Sequence, residues 1–239
     1  MKPNIFIVGP SGEGKSSSLR NLDPKTTAIL NTEQKALPFR GANKFKLNIG
    51  IPDMEKYWEI FDKVMNGKNS KVLVVESFTS LSENLMRECE KFYEGFDLWA
   101  HYKQQIGSIL HKSKNTDKYV VFTGIDQVLE AENGIAERFI KVEGSWKKAV
   151  EKEFVIVLFA NTHTNEAGEI EHRFITNKMK GFENVIAKSP MGMFPPTVPN
   201  DLALVLDYVE KYYNGDDEEE TPKEEVKEAP QKNEETPQS

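Results

Sequence analysis

The chain of 239 residues contains one cysteine, Cys89, so no disulfide can form within it, and this usage fits a reducing compartment. It has no apolar run approaching the ~20 residues that span a bilayer. Nor does an apolar stretch with a cleavage site open the sequence. A soluble, cytoplasmic protein is expected. Arginine is scarce: five residues, scattered from Arg20 to Arg173, encode no arginine-rich lid of the kind that closes over phosphates. Four histidines are present, and His163 and His172 lack a cysteine or carboxylate partner at ligand spacing, which argues against a metal centre there.

What charge there is lies unevenly. The last segment, residues 214–239, holds ten acidic and three basic residues, which account for the whole net charge of -7 and leave a formally neutral body. Glu, Pro, Lys and Gln dominate it without apolar periodicity, so it is expected to be a disordered acidic tail on a single domain of residues 1–213. Within that domain, short apolar runs alternate with helical patterns. Ile5–Val8, Thr26–Asn31, Lys71–Val75, Tyr119–Ile125 and Phe154–Ala160 read as buried strands. Residues 16–22, 53–66, 81–112 (broken near Gly95), 145–153 and 200–213 read as helices. The run Glu166-Ala167-Gly168-Glu169 reads as a hairpin turn leading into Ile170–Thr176. The expected fold is α/β: a mostly parallel sheet with helices on both faces and a C-terminal antiparallel hairpin extension.

The first chemical motif follows the first strand directly. Gly9-Pro10-Ser11-Gly12-Glu13-Gly14-Lys15-Ser16 matches the P-loop pattern G-x-x-x-x-G-K-[ST], and Ser17 follows it. Glycines let the backbone wrap phosphate oxygens, Lys15 reaches the terminal phosphates, and Ser16 is placed to hold Mg²⁺. The cofactors expected are ATP and Mg²⁺. A second motif, Val72-Leu73-Val74-Val75-Glu76-Ser77, is a buried strand ending in an acid, the arrangement that organises Mg²⁺. Glu76 is one methylene longer than the usual Asp, and an ordinary strand-end acid is the competing reading. The third, Ala28–Glu33, offers Glu33 as a general base on a strand expected beside the P-loop strand, although acids often cap strands. The fourth, Phe122–Gln127, places polar groups past a buried strand, where a γ-phosphate can be sensed.

In this order the four elements, followed by the helix–strand unit Ser145–Ala160 and a hairpin strand ending in Asn177-Lys178, resemble the RecA-like P-loop ATPase core over roughly residues 4–182. More narrowly the chain resembles the compact phage ATPases of that type, grouped as AAA-family or single-strand annealing recombinase ATPases; Ala187–Phe194 and Pro199–Leu202 look like their C-terminal part. The resemblance implies ATP hydrolysis coupled to single-stranded DNA binding in recombination, annealing or repair. It implies Glu33 as general base, Gln127 as γ-phosphate sensor and Lys178 reaching a neighbouring subunit's ATP. The implied partners are single-stranded DNA, further copies of the chain in a ring or short filament, and a single-strand binding protein or other replication or recombination protein. Thr176 stands where a second interface lysine often sits, so that role falls to Lys178 or Lys180.

Other features read more plainly. The stretch 128–144 mixes Arg138 and Lys141 with four glutamates, a solvated face rather than a basic patch. Phe92, Tyr93, Phe96 and Trp99 are either a base-stacking set or, as is more common for such a cluster, helix core or a helix-turn contact. A P-loop kinase and a nucleotide-gated binding module with little turnover are the alternatives to a DNA-coupled ATPase.

Overall fold

The computed structural model describes residues 2–130, 134 and 136–215. Most of the acidic tail lies outside them. Ten strands and four α-helices follow in chain order among the described residues. The strands are β1 (Ile5–Val8), β2 (Thr27–Asn31), β3 (Leu47–Gly50), β4 (Val72–Glu76), β5 (Tyr119–Gly124), β6 (Asp126–Glu130), β7 (Ala136–Ile140), β8 (Ile156–Thr164), β9 (Ile170–Ile175) and β10 (Thr197–Pro199). The helices are α1 (Met54–Asn66), α2 (Phe78–Glu90), α3 (Gly95–Lys114) and α4 (Leu202–Asn214). None of the described helices is long and apolar enough to cross a membrane.

Eight strands form one sheet in the order β10-β9-β8-β1-β5-β4-β2-β3, and β6 and β7 form a separate hairpin. Strands β8, β1, β5, β4, β2 and β3 are parallel, while β9 and β10 extend the sheet antiparallel. The α/β class, the mainly parallel sheet and the C-terminal antiparallel extension agree with the sequence reading. The order corrects one expectation: β2 is not beside β1, because β5 and β4 stand between them. An apolar run reports that a strand is buried on both faces, not which strand is its neighbour.

The central strands are apolar throughout because both their faces are covered, and their period of two sorts side chains into two cores. Phe6, Leu73, Val75, Val120 and Phe122 point to one face, against Tyr57 and Phe61 of α1, Leu81 and Leu85 of α2, and Ile106 and Ile109 of α3. Ile5, Ile7, Val74, Val121 and Leu158 point to the other, against Leu19 and, from α4, Leu202, Val205 and Val209. Caps set where the helices begin: the Asp53 side chain accepts from Lys56 N at 2.8 Å ahead of α1, and Asp201 accepts from Ala203 N at 3.0 Å ahead of α4.

Several segments differ from the sequence reading. Residues 16–22 form a 3₁₀ turn, Ser16–Asn21, rather than an α-helix. Residues 145–153 form two short 3₁₀ turns, Gly144–Trp146 and Val150–Glu153. The stretch 128–144, read as a solvated face, contributes to the β6–β7 hairpin. Strands β3 and β10 were not expected. Leu47-Asn48-Ile49-Gly50 carries only two strongly apolar residues, and β10 is three residues long, so neither leaves a usable periodic signal.

Phe122 is the keystone of the first core. Its ring lies 5.5 Å from those of Phe78 and Phe154, edge-on to each, and stacks at 6.4 Å on Phe6. Phe122→Ala is expected to lower unfolding free energy by about 3–5 kcal/mol. By contrast Phe96→Ala, on a side chain 85% exposed, should change it by less than about 0.5 kcal/mol. Urea titrations of both variants check the contrast, and a small loss at Phe122 would contradict this account of the core.

Candidate nucleotide site

The parallel strands all point their C-terminal ends at one edge. Val8 is opposite Gly124, Val75 opposite Phe122 and Asn31 opposite Glu76, so the chain leaves β1, β5, β4 and β2 at nearly the same level. Above this edge lies a cavity of about 500 Å³. Its lining includes Ser11, Gly12, Gly14, Lys15, Ser16 and Ser17 of the P-loop, Glu33 and Lys35 beyond β2, Glu76 and Ser77 at the end of β4, and His172 of β9.

Two P-loop glycines are required by geometry. A Cβ on Gly9 would stand 2.7 Å from the Ala160 carbonyl oxygen, and Gly14 has φ +85°, a left-handed conformation that glycine adopts without strain. The turn they allow places Lys15 Nζ on the carbonyls of Gly9 and Pro10, at 2.7 and 2.6 Å. Burial pushes the Lys15 ammonium below its ordinary value, and Glu76, Asp126, Glu13 and Glu33 pull it back up.

Period two also puts Glu76 and Thr123 side by side. They follow the paired residues Val75 and Phe122, on the face that carries the P-loop turn. Glu76 is buried, and both its oxygens are taken: Ser16 Oγ donates to Oε1 at 2.5 Å and Thr123 Oγ1 donates to Oε2 at 2.5 Å. Burial pushes the Glu76 carboxyl up, and these two hydroxyls oppose that shift. The ordinary solvated strand-end acid is thereby ruled out for Glu76. Its extra methylene is accommodated by Thr123, which holds the far oxygen while the near one meets Ser16.

Glu33 is set by a second bracket. The buried Thr32 ties the end of β2 to the end of β4: Thr32 Oγ1 donates to Ser77 O at 2.7 Å and accepts from Ser77 N at 2.9 Å. The Glu76–Ser77 peptide is cis. Glu33 then accepts from Ser77 Oγ at 3.2 Å and Ser80 Oγ at 3.4 Å, and its other oxygen pairs with Lys35 Nζ at 2.9 Å. Partial burial works against the charge, but Lys35, Ser77 and Ser80 outweigh it and hold the Glu33 carboxyl below the usual range.

The other sequence candidates lie elsewhere. Gln127 sits on β6, its amide donating to the Ile140 carbonyl at 3.2 Å, and it does not line the cavity. Lys178, just past β9, lies 3.5 Å from Glu137 of the hairpin in the same chain. Gly9, Pro10 and Glu13 are P-loop residues outside the lining, while Lys35, Ser77 and His172 line the cavity, and Thr123 and Ser80 bond to its acids, without having been named as site residues from sequence. For Thr123 a signal existed: it is the hydroxyl that interrupts the apolar run Tyr119–Phe122.

The residues fit a nucleoside triphosphate with Mg²⁺. A glycine cradle, a buried ammonium, and a hydroxyl–carboxylate pair of hard oxygen donors converge on one cavity. Ser16 and Glu76 would hold the metal, Ser16 directly. Thr123→Val keeps the strand's shape but strips Glu76 of its second donor. It should weaken Mg·ATP binding roughly ten-fold or more, as expected for a hydrogen bond to a charged group. Binding of metal-free ATP should barely change, and Thr123→Ser should restore most of the loss. Fluorescent-nucleotide titrations with and without Mg²⁺ check this, and equal Mg²⁺ dependence in Thr123→Val and wild type would contradict it.

Comparison with known proteins agrees with this geometry. None of the curated proteins compared with the chain matches it. A family model described as an AAA domain matches residues 1–191, most of the described chain from the P-loop through the antiparallel extension at β9. The chain therefore belongs to the AAA domain family, whose members are generally nucleotide-hydrolysing ATPases.

Proposed function

We propose that this protein hydrolyses ATP in a cycle coupled to single-stranded DNA, in recombination, annealing or repair, working as a homo-oligomer. The observation that carries the hydrolytic part is the placement of Glu33 in the same cavity as Lys15, Ser16 and Glu76. Glu33 is held ionised by Lys35, Ser77 and Ser80. An ionised carboxylate fixed at the mouth of a phosphate cradle is equipped to take a proton from an attacking water. Lys15 offsets charge on the terminal phosphate oxygens, and the loop amides orient the chain of phosphates for in-line attack. Mg²⁺, when bound, neutralises further charge on the β- and γ-oxygens. Among the described residues no arginine lines the cavity, which counts against a kinase whose lid closes with arginines.

Support for DNA lies on α3 rather than on the hairpin. Among described residues the hairpin strands carry Asp126, Glu130 and Glu137 against Arg138, a poor surface for phosphates. The aromatic set instead faces outward: Phe92 is 71% exposed, Phe96 85% and Trp99 45%. This disposes of the helix-core reading for Phe92 and Phe96. Phe96, Trp99 and Trp146 line an open groove with Lys103, a combination suited to stacking bases and holding a phosphate. Lys178 is half-exposed, and its long contact to Glu137 leaves it able to turn toward a neighbouring subunit's phosphates.

Glu33→Gln should leave nucleotide affinity within about two-fold and lower turnover by about 100-fold or more. A wild-type rate would remove Glu33 from the mechanism. Lys35→Met removes the charge that depresses the Glu33 carboxyl, so the carboxyl rises from its wild-type position. Because the base must be ionised, the acid limb of the turnover profile should move to higher pH, and an unmoved limb would show that Glu33 is not the titrating base. Trp99→Ala should weaken single-stranded DNA binding by ~1–3 kcal/mol if it stacks a base. Unchanged affinity in a polarisation assay would shift DNA off this face.

A further inference from the structure

Asn200 lies between β10 and α4, and its backbone is clamped on both sides. Its N–H donates to the His172 carbonyl at 3.2 Å, and its carbonyl accepts from Arg20 Nη1 at 2.7 Å, Arg20 belonging to the turn that follows the P-loop. The side chain that this clamp holds is 3% exposed, yet neither Nδ2 nor Oδ1 has a hydrogen-bond partner. A buried amide with both ends unmet destabilises the fold, and an apolar side chain of similar shape would avoid that cost.

The amide faces the P-loop. A Cβ built on Gly14 would stand 3.3 Å from both Asn200 Nδ2 and Oδ1, and 3.0 Å from His172 Nδ1. The His172 ring and the Asn200 amide thus close on one face of Gly14, while its other surroundings belong to the nucleotide cavity, which His172 also lines. The preceding residue, Glu13, carries a second unmet buried atom, Oε2. An unmet donor and acceptor on Asn200 therefore stand beside a loop segment, Glu13–Gly14, that has a polar group of its own unsatisfied.

We propose that Asn200 is a positioning residue for the phosphate loop: when a nucleoside triphosphate fills the loop, the Glu13–Gly14 segment settles onto the Asn200 amide and hydrogen-bonds to it. This rests on the P-loop reading above. The energetic logic is that a group costly in the empty protein becomes satisfied in the loaded one, so its contribution appears as nucleotide affinity. Residues 199–202 thereby take part in binding phosphates almost two hundred positions from Gly9, through the β9–β10 edge rather than through the strands that bear the acids. Asn200 and β10 lie outside residues 1–191, the span of the family match.

The test uses the full chain and opposes two signs. Asn200→Leu removes both unmet atoms at similar volume, so the melting temperature without nucleotide should be equal to or above that of wild type. ATP affinity should nevertheless fall five-fold or more, with the nucleotide-induced rise in melting temperature reduced to match. Affinity equal to wild type would overturn the proposal, and is the outcome expected if an ordered water satisfies Asn200 in both states. Lys15→Ala separates this from failure of the underlying reading: if wild type and Lys15→Ala bind ATP alike, the P-loop assignment itself is wrong. Should Asn200→Leu not fold, wild-type NMR decides. The Asn200 side-chain amide protons should shift and exchange more slowly on adding ATP, and unchanged resonances at saturation would overturn the proposal.

Discussion

The structure of the site depends on one buried carboxylate. Glu76 stands at the end of a central strand, out of water, and is tolerable there only because Ser16 and Thr123 hydrogen-bond to its two oxygens. Each donor fixes a different element. Ser16 ties the P-loop to β4, although β1 and β4 are not neighbours, and Thr123 ties in β5, the strand that separates them. The phosphate loop, the metal-side acid and the intervening strand are thus locked in one register by two hydroxyls. From the same strand end, Ser77 reaches through Thr32 to β2 and sets the place of Glu33.

This layout also separates two jobs that a single acid could not perform. Glu76 is buried, which raises its carboxyl, and it spends both oxygens on fixed donors. Glu33 lies nearer solvent and is depressed by a lysine and two serines. Two carboxylates with opposed shifts in one cavity are the mark of divided roles, one structural and metal-directed, the other available for a proton. Lys35 favours the ionised form of Glu33 and lowers its basicity together; in the proposed role, Glu33 takes a proton as Lys35 loosens its hold.

Much of this was legible in the residues. Apolar runs too short for helices and bounded by glycine or acids marked β1, β2, β4 and β5, and the P-loop pattern was matched position by position. The acids at strand ends were visible because each closes an otherwise apolar segment. Strand order was not visible, since burial on two faces looks the same at every interior position; hence β2 was expected beside β1. The edge strands β3 and β10 and the hairpin β6–β7 escaped because solvent-facing strands mix polar and apolar residues without a clean period. Asn200 escaped for another reason: its significance lies in a contact with Gly14, 186 positions away, and nothing local to Pro199-Asn200-Asp201 signals it. Phe92 and Tyr93, between α2 and α3, and Phe96 and Trp99 on α3 were ambiguous between core and surface because an aromatic beside or on a helix suits either, and only packing decides.

The proposed role of Glu33 makes the site a working hydrolase and not a passive nucleotide holder. The most direct measurement is steady-state phosphate release from Mg·ATP by the full-length protein, titrated with single-stranded DNA. The account predicts release that requires Mg²⁺ and rises as DNA saturates. Tight Mg·ATP binding with release no faster than background at every DNA concentration would contradict it, and would leave a nucleotide-gated binding module in its place.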